Sequence, residues 1–153
     1  MLATLLCTAG IVSHLADCTA TSLRNAEAHI NEYAPAEDVD LLARCITAEM
    51  GYNKDDYVYY LSGSVVLNRM KSDDFPTDLY EVIYQPGQYE CVTNHHIDRE
   101  PDPAAVDIAN RLLLDGTSLD PDVVFQAEFK QGHGVYKYIN NSYFCYKQLL
   151  DYK

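Results

Sequence analysis

One glutamate in this chain lies where a carboxyl group is costly. Residues 38–51 read DVDLLARCITAEMG, and at about 100° per residue they project as an amphipathic helix. Glu49 falls within about 20° of Leu42, in the middle of the apolar stripe. An ionised group there is unfavourable unless it is paired or faces a cleft and keeps its proton. Two interpretations follow: a glutamate at a helix end that reaches an arginine or solvent, or a general acid with a raised pKa. The stripe consists of Val39, Leu42, Cys45, Ile46 and Met50.

Composition limits the classes of partner. The 153 residues correspond to one domain with a proper core. Eleven basic against 23 acidic residues give a net charge of −12, which argues against nucleic acid or an anionic membrane as partner. No apolar run reaches the roughly 18 residues of a membrane span. Thirteen tyrosines offer flat faces with a hydroxyl, which suit sugar rings as well as a core.

The cysteines and histidines do not form a recognisable metal motif. Five cysteines without CxxC spacing argue against structural zinc and allow at most two disulfides. If the protein is exported, Cys91 and Cys145 are the predicted bridge. His95 and His96 near Cys91 lack a second ligand pair, so we expect no metal and no cofactor. Cys91 with a nearby histidine leaves a cysteine peptidase acting on peptide stems as an alternative.

The first 37 residues differ from the rest of the chain. Residues 1–18 have an apolar centre without a preceding basic residue, which fits either a leader remnant or a short packed helix. Residues 20–37 indicate a polar helix and linker. We therefore predict an N-terminal segment 1–37 and a domain 38–153.

The remaining pattern predicts helices followed by a small antiparallel sheet, an α+β fold. Ser62-Gly63-Ser64 lies inside the second predicted helix, so we expect close approach of a neighbouring helix there. After the helix that ends at Gly51, the predicted elements are a helix over 57–70, a short helix capped by Thr77 and running through Tyr84, an irregular segment 85–101, a helix that starts at Asp102-Pro103 and ends at Gly116, and a three-stranded meander over 123–129, 135–139 and 142–146.

Three motifs follow one another along the chain: LLAR…AE at 41–49, VVLNRMKS…FP at 65–76 and VIYQPGQY at 82–89. In this order and spacing they resemble the catalytic domain of the SleB-type cell-wall hydrolases, the spore-cortex-lytic enzymes and their relatives. The resemblance covers roughly residues 38–146. It implies a lysozyme-like fold, mainly helical with a small three-stranded antiparallel sheet near the C-terminus. It also implies lytic transglycosylation of peptidoglycan glycan strands, with the catalytic glutamate at Glu49.

The chain departs from the family pattern around Glu49. Ala48 stands where the family usually has glycine, and residues 50–53, Met-Gly-Tyr-Asn, replace an Ala-Arg-Gly-Glu run. The loop 51–57 is about one residue longer, which affects expected sugar contacts near it, but the catalytic position is retained.

The resemblance implies chemistry that needs one carboxyl group. A lytic transglycosylase protonates the glycosidic oxygen and then takes a proton from the C6 hydroxyl of muramic acid, so no protein nucleophile is required. A two-carboxylate muramidase is the alternative, and a catalytically inactive wall-binding module is a further one. The nearby second carboxylates in sequence are Asp55, Asp56 and Glu90, and the expected substrate-binding residues are Tyr52, Gln88, Tyr89 and Gln126.

These interpretations predict a monomeric enzyme whose partner is the glycan strand of peptidoglycan. The expected location is the cell wall or spore after export, or the protein is a phage-encoded lysin. The leader sequence at 1–18 is ambiguous on this point.

Overall fold

The computed structural model describes residues 33–147, so the predicted leader or helix at 1–18 and most of the predicted linker lie outside the described residues. None of the helices within 33–147 is long and apolar enough to cross a membrane. The elements in this range are α1 (Ala36–Met50), α2 (Asp56–Lys71), α3 (Leu79–Ile83), α4 (Glu90–Thr93), a 3₁₀ turn (His96–Asp98), α5 (Pro103–Asp115), β1 (Val123–Ala127), β2 (Val135–Ile139) and β3 (Ser142–Tyr146). This is the predicted α+β architecture, helices first and a three-stranded antiparallel sheet last.

The core lies where α1, α2 and α5 pack against one another. α1 begins two residues before the predicted start and buries its predicted apolar stripe. A Cβ built on Gly63 of α2 would lie 2.5 Å from Leu112 Cδ1 and 2.8 Å from Ile46 Cδ1. The expectation of a close helix approach at Ser62-Gly63-Ser64 is therefore confirmed, because glycine leaves the space that side chains from α1 and α5 fill.

The helix ends follow local sequence chemistry, with one correction. Asp102 caps α5, since its side chain accepts from the Ala104 N–H at 2.9 Å, and Gly116 ends that helix with φ of 78°. The short helix α3 is capped by Asp78, whose Oδ1 accepts from the Glu81 N–H at 3.1 Å. The predicted cap at Thr77 is wrong by one residue, because aspartate provides the oxygen at the position that the N–H groups of α3 face.

The sheet is not a meander. Its strand order is β1-β3-β2, so the last strand is central and pairs antiparallel with both others. The physical reason is burial. Phe144 and Cys145 of β3 are fully buried, whereas β2 is almost entirely exposed and suits an edge. The turn between β2 and β3 consists of Asn140 and Asn141, which have positive φ of 49° and 59°, as expected for a two-residue hairpin.

The segment predicted as an irregular stretch over 85–101 contains two short ordered pieces, α4 and the 3₁₀ turn. Cys91 is 2% exposed and Ile97 is 3% exposed. These two apolar anchors hold the segment against the core, which a pattern of prolines, glycines and polar residues did not indicate.

Candidate active site

Glu49 lies in the last turn of α1 and is half-buried. Leu42, Cys45 and Ile46, its neighbours on the same helix face, have at most 1% of their surface exposed. Burial is the largest influence on the Glu49 carboxyl and raises its pKa, because a charged group loses hydration in this environment. Glu49 therefore holds its proton more strongly than an exposed glutamate, as a general acid requires.

Cys91 of α4 faces the same carboxyl. Hydrogen bonding from the Cys91 thiol and backbone N–H favours the ionised form of Glu49 and lowers its pKa, against the effect of burial. Cys91 also hydrogen-bonds to Cys45, and this contact, together with burial, raises the pKa of the Cys45 thiol.

The predicted Cys91–Cys145 disulfide is not formed. Cys45, Cys91 and Cys145 are all free and buried. Cys145 lies on the central strand opposite Phe125 and Val135, whereas Cys91 packs towards α1. The thiol that neighbours Cys91 therefore belongs to Cys45, a residue that the sequence indicated only as a small core side chain.

Arg69 of α2 supplies the positive charge of the site. Its side chain is 3% exposed, and its Nε donates to the Val124 carbonyl of β1 at 2.8 Å. The charge of Arg69 lowers the pKa of Glu49. The site thus combines an apolar setting that protonates the carboxyl with a cation that favours the same carboxyl once it is ionised.

The three predicted second carboxylates lie in different surroundings. Glu90 is exposed at the start of α4, and its charge raises the pKa of Glu49. Asp55 is exposed immediately before α2. Asp56 forms an exposed ion pair with Arg111 of α5 at 3.3 Å. Glu90 is therefore the candidate among these three that the structure brings to Glu49.

Two of the predicted sugar-binding residues, Tyr52 and Tyr89, contact other parts of the protein. The Tyr52 hydroxyl donates to the Glu100 carbonyl at 2.6 Å. Tyr52 also lines a cleft of about 230 Å³, whose lining does not include Glu49. Tyr89 is close to the site, but it is 7% exposed, and its ring centroid lies 4.8 Å from the Arg69 guanidinium carbon. Its ring supports Arg69 from within, and little of it is open to a sugar.

Gln88 and Gln126 lie in a turn and on a strand, respectively. Gln88 is exposed in the turn before Tyr89, and its backbone N–H donates to the Gln85 carbonyl at 3.1 Å. Gln126 is half-buried on β1, opposite Phe144 of β3. Both amides remain predictions as substrate contacts.

The histidines diverge instead of converging on Cys91. His95 is exposed and its Nδ1 lies 3.0 Å from Asp98 Oδ2. His96 lines the cleft that contains Tyr52. Over residues 33–147 there is no group of three or more histidine, cysteine, aspartate or glutamate side chains placed to hold a metal ion.

Asp102 organises the other side of the α1 terminus. Its backbone N–H donates to Thr47 Oγ1 at 2.9 Å, and its Oδ2 accepts from the Asn53 N–H at 2.7 Å. The Tyr59 hydroxyl lies 2.9 Å from both Asp102 Oδ2 and the Gly51 carbonyl oxygen. Burial raises the pKa of Tyr59 to about 12. This network fixes the loop that follows Glu49.

Sequence reasoning did not assign Arg69, Cys91 or Asp102 to the surroundings of Glu49. A signal existed for Arg69, a charged residue inside the predicted buried helix 57–70. Charges in such positions are rare unless they have a role. Cys91 and Asp102 gave no comparable signal, since their contacts join segments more than 40 residues apart.

The chain matches a known family of cell-wall enzymes. The family model for Cell Wall Hydrolase matches residues 59–144, more than half of the chain, and the chain belongs to this family. Enzymes of this class act on cell-wall peptidoglycan. The match runs from α2 to β3 and begins ten residues after Glu49. A search of curated proteins found no significant match.

Two solved structures share the fold. The catalytic domain of the Bacillus cereus SleB protein is similar with a TM-score of 0.62 and 19% identity, covering 72% of this chain and 91% of that domain. The catalytic domain of the germination-specific lytic transglycosylase SleB from Bacillus anthracis gives a TM-score of 0.57 and 20% identity, covering 73% of this chain and 96% of that one. The predicted SleB-type family and fold are thereby confirmed.

Proposed function

We propose that this cell wall hydrolase cleaves peptidoglycan glycan strands between N-acetylmuramic acid and N-acetylglucosamine as a lytic transglycosylase, with Glu49 as its single acid and base. The observation that carries the proposal is the position of Glu49. Its carboxyl is half-buried beside apolar side chains, and burial raises its pKa. The B. anthracis relative with the same fold is described as a lytic transglycosylase, which agrees with this choice.

The reaction needs no further group to balance. The protonated Glu49 carboxyl gives its proton to the glycosidic oxygen, and the bond from that oxygen to C1 of the muramic acid breaks. The resulting carboxylate takes the proton of the C6 hydroxyl while O6 forms a bond to C1, which closes a 1,6-anhydro ring. Glu49 ends protonated, and no water is consumed.

The groups around Glu49 suit both proton transfers of this reaction. Burial favours the acid that starts the reaction, whereas Cys91 and Arg69 favour the carboxylate that completes it. A general acid–base works best when neither form is strongly disfavoured. Gln88, exposed in the turn before Tyr89, is a proposed sugar contact three residues before Cys91.

Glu90 supports one alternative, a two-carboxylate muramidase. It is exposed at the start of α4, and its charge raises the pKa of Glu49. In such an enzyme, Glu90 would activate a water molecule or attack C1, and the product would carry a reducing end. The two schemes therefore differ in their products and in the effect of removing Glu90.

The test begins with Glu49→Gln on purified peptidoglycan. This change keeps the size of the side chain and removes the transferable proton, so we expect the rate of glycan release to fall by at least about 100-fold. Circular dichroism of the variant should match that of the parent protein, and thermal unfolding should show no loss of stability. Retention of more than about a tenth of the activity would contradict the role of Glu49.

Mass spectrometry of the released muropeptides separates the two mechanisms. Anhydro-muramic ends support transglycosylation by a single carboxyl group, and reducing ends support the muramidase. Products cut only within the peptide stems would overturn both and leave the cysteine peptidase. A protein that binds walls and releases no fragment under any condition would instead be a binding module.

A further inference from the structure

Arg69 carries a charge that is almost fully buried. It is 3% exposed, and within residues 33–147 it forms no ion pair. Its Nη1 is buried and has no hydrogen-bond partner in the described part of the chain. A buried guanidinium costs free energy unless something is gained from it, so packing alone does not account for arginine at this position.

The surroundings hold the guanidinium without neutralising it. Phe75 and Tyr89 place their ring centroids 5.1 and 4.8 Å from its central carbon. The Val124 carbonyl accepts from Nε at 2.8 Å. Two aromatic rings and one carbonyl orient the planar group. None of these three groups carries a negative charge, so the positive charge of Arg69 acts on the side chains around Glu49.

The side chains near Glu49 and Arg69 come from α1, α4 and the turn before α4. α1 contributes Glu49 and Cys45, α4 contributes Cys91 and Glu90, and the turn before α4 contributes Tyr89. The charge of Arg69 favours the ionised forms of Glu49, Cys45 and Tyr89. Cys45 and Tyr89 are raised in pKa and stay neutral, so Glu49 is the group that alternates between charged and neutral forms.

We propose that Arg69 is a positioning residue of the reaction, a fixed cation that stabilises the Glu49 carboxylate between its two proton transfers. The proposal rests on the proposed acid–base role of Glu49. Arg69 does not touch the reacting atoms; it acts through Glu49. Its orientation by Phe75, Tyr89 and Val124 means that the charge is in place before the carboxylate forms, and preorganised charge is worth more than charge that must move.

The direct test measures the titration of Glu49 in protein labelled with ¹³C at its glutamate carboxyl carbons. Arg69→Gln should move the titration midpoint of Glu49 upward by about one pH unit, the usual effect of losing a nearby opposite charge. Arg111→Gln is the matched control, since it removes the same charge from the exposed pair with Asp56 and should leave the midpoint unchanged. An unchanged midpoint in Arg69→Gln would overturn the proposal.

Arg69→Lys covers the case in which Arg69→Gln does not fold. Lysine keeps the charge but lacks the planar group that the two rings and the Val124 carbonyl hold. We expect kcat to fall by at least about tenfold with KM within about twofold. We also expect the alkaline limb of the pH–rate profile, where Glu49 loses its proton, to move to higher pH. A kcat and a pH profile equal to those of the parent protein would overturn the proposal through this variant alone.

The titration also separates the two ideas. If Glu49→Gln keeps its activity while Arg69→Gln shifts the Glu49 midpoint, the proposed function is wrong and the coupling is real, so Arg69 positions a carboxyl group with another purpose. If Glu49→Gln is inactive and neither Arg69 variant changes the midpoint or kcat, the proposed function stands and the role of Arg69 is refuted.

Discussion

Glu49 and Asp102 are two poorly exposed carboxyl groups at the end of α1 with opposite environments. The Asp102 carboxyl accepts hydrogen bonds from the Asn53 and Ala104 N–H groups and lies 2.9 Å from the Tyr59 hydroxyl. These bonds, that from Asn53 first, lower its pKa. Glu49 has mainly apolar neighbours, and burial raises its pKa. One carboxyl is stabilised as an anion, whereas the other is held towards its neutral form.

This difference separates a structural role from the proposed catalytic one. A carboxylate with all its hydrogen bonds made stabilises the fold and has little reason to accept a proton. A carboxyl with few partners costs stability and exchanges its proton near the working pH. The cost at Glu49 is consistent with function, since active sites commonly carry groups that the fold alone would not favour.

Asp102→Ala should give the largest effect on stability. The change removes the cap of α5 and leaves the Asn53 N–H and the Tyr59 hydroxyl without their acceptor, which costs about 1–3 kcal/mol. Urea unfolding at neutral pH measures the loss. Glu49→Gln should show no comparable loss, because a neutral amide replaces a carboxyl that is unfavourable when ionised.

The matched control is Asp102→Asn, which keeps an acceptor oxygen for the cap and should lose less than Asp102→Ala. Activity per folded molecule should be close to that of the parent protein in both Asp102 variants. Full stability in Asp102→Ala would contradict its structural role. Activity lost at full stability would place Asp102 in the catalytic group, and the contrast with Glu49 would be wrong.

The pH dependence of stability should have opposite signs at the two carboxyl groups. The pKa of Asp102 is lowered from 3.8. The contribution of Asp102 to the free energy of unfolding is therefore present above that value and is lost as the pH falls through the folded-state pKa. The pKa of Glu49 is raised from 4.5. The contribution of Glu49 to the free energy of unfolding is therefore present below 4.5 and is lost as the pH rises through the folded-state pKa.

Unfolding free energies of the parent protein, Asp102→Asn and Glu49→Gln between about pH 3 and about pH 7 check these signs. As the pH rises, the unfolding free energy of Asp102→Asn should decrease relative to that of the parent protein. The unfolding free energy of Glu49→Gln should increase relative to that of the parent protein. Parallel curves for Glu49→Gln and the parent protein would show that Glu49 has the same pKa in the folded and unfolded chain.

The sequence was sufficient for features that depend on local pattern. The stripe of α1, the start of α5 at Asp102-Pro103 and the space at Gly63 are each set by a few neighbouring residues. Glu49 was identified in the same way, because a carboxyl on an apolar helix face is visible in a single stretch of residues. The family resemblance added its expected role.

Features that depend on distant contacts were not predictable in this way. The strand order β1-β3-β2 depends on which strand the core covers, and alternation within each strand does not give that. Cys91 and Cys145 suggested a bridge by position, although Cys91 meets Cys45 of α1 instead. The partners of Glu49 come from α2 and α4, so the full site exists only after the chain has folded.

The smallest expected effects concern the three exposed carboxylates, Asp55, Asp56 and Glu90. Asp55→Asn and Asp56→Asn should keep activity within a few-fold, because Asp55 is solvated and Asp56 pairs only with Arg111 at the surface. Glu90→Gln should also keep most of its activity. The alkaline limb of its pH–rate profile should move to slightly lower pH, since the charge of Glu90 raises the pKa of Glu49. Rates on purified peptidoglycan, measured beside Glu49→Gln, provide the scale. A loss in Glu90→Gln as severe as that in Glu49→Gln would identify Glu90 as a second catalytic carboxylate, and the enzyme would then be a muramidase that leaves reducing ends.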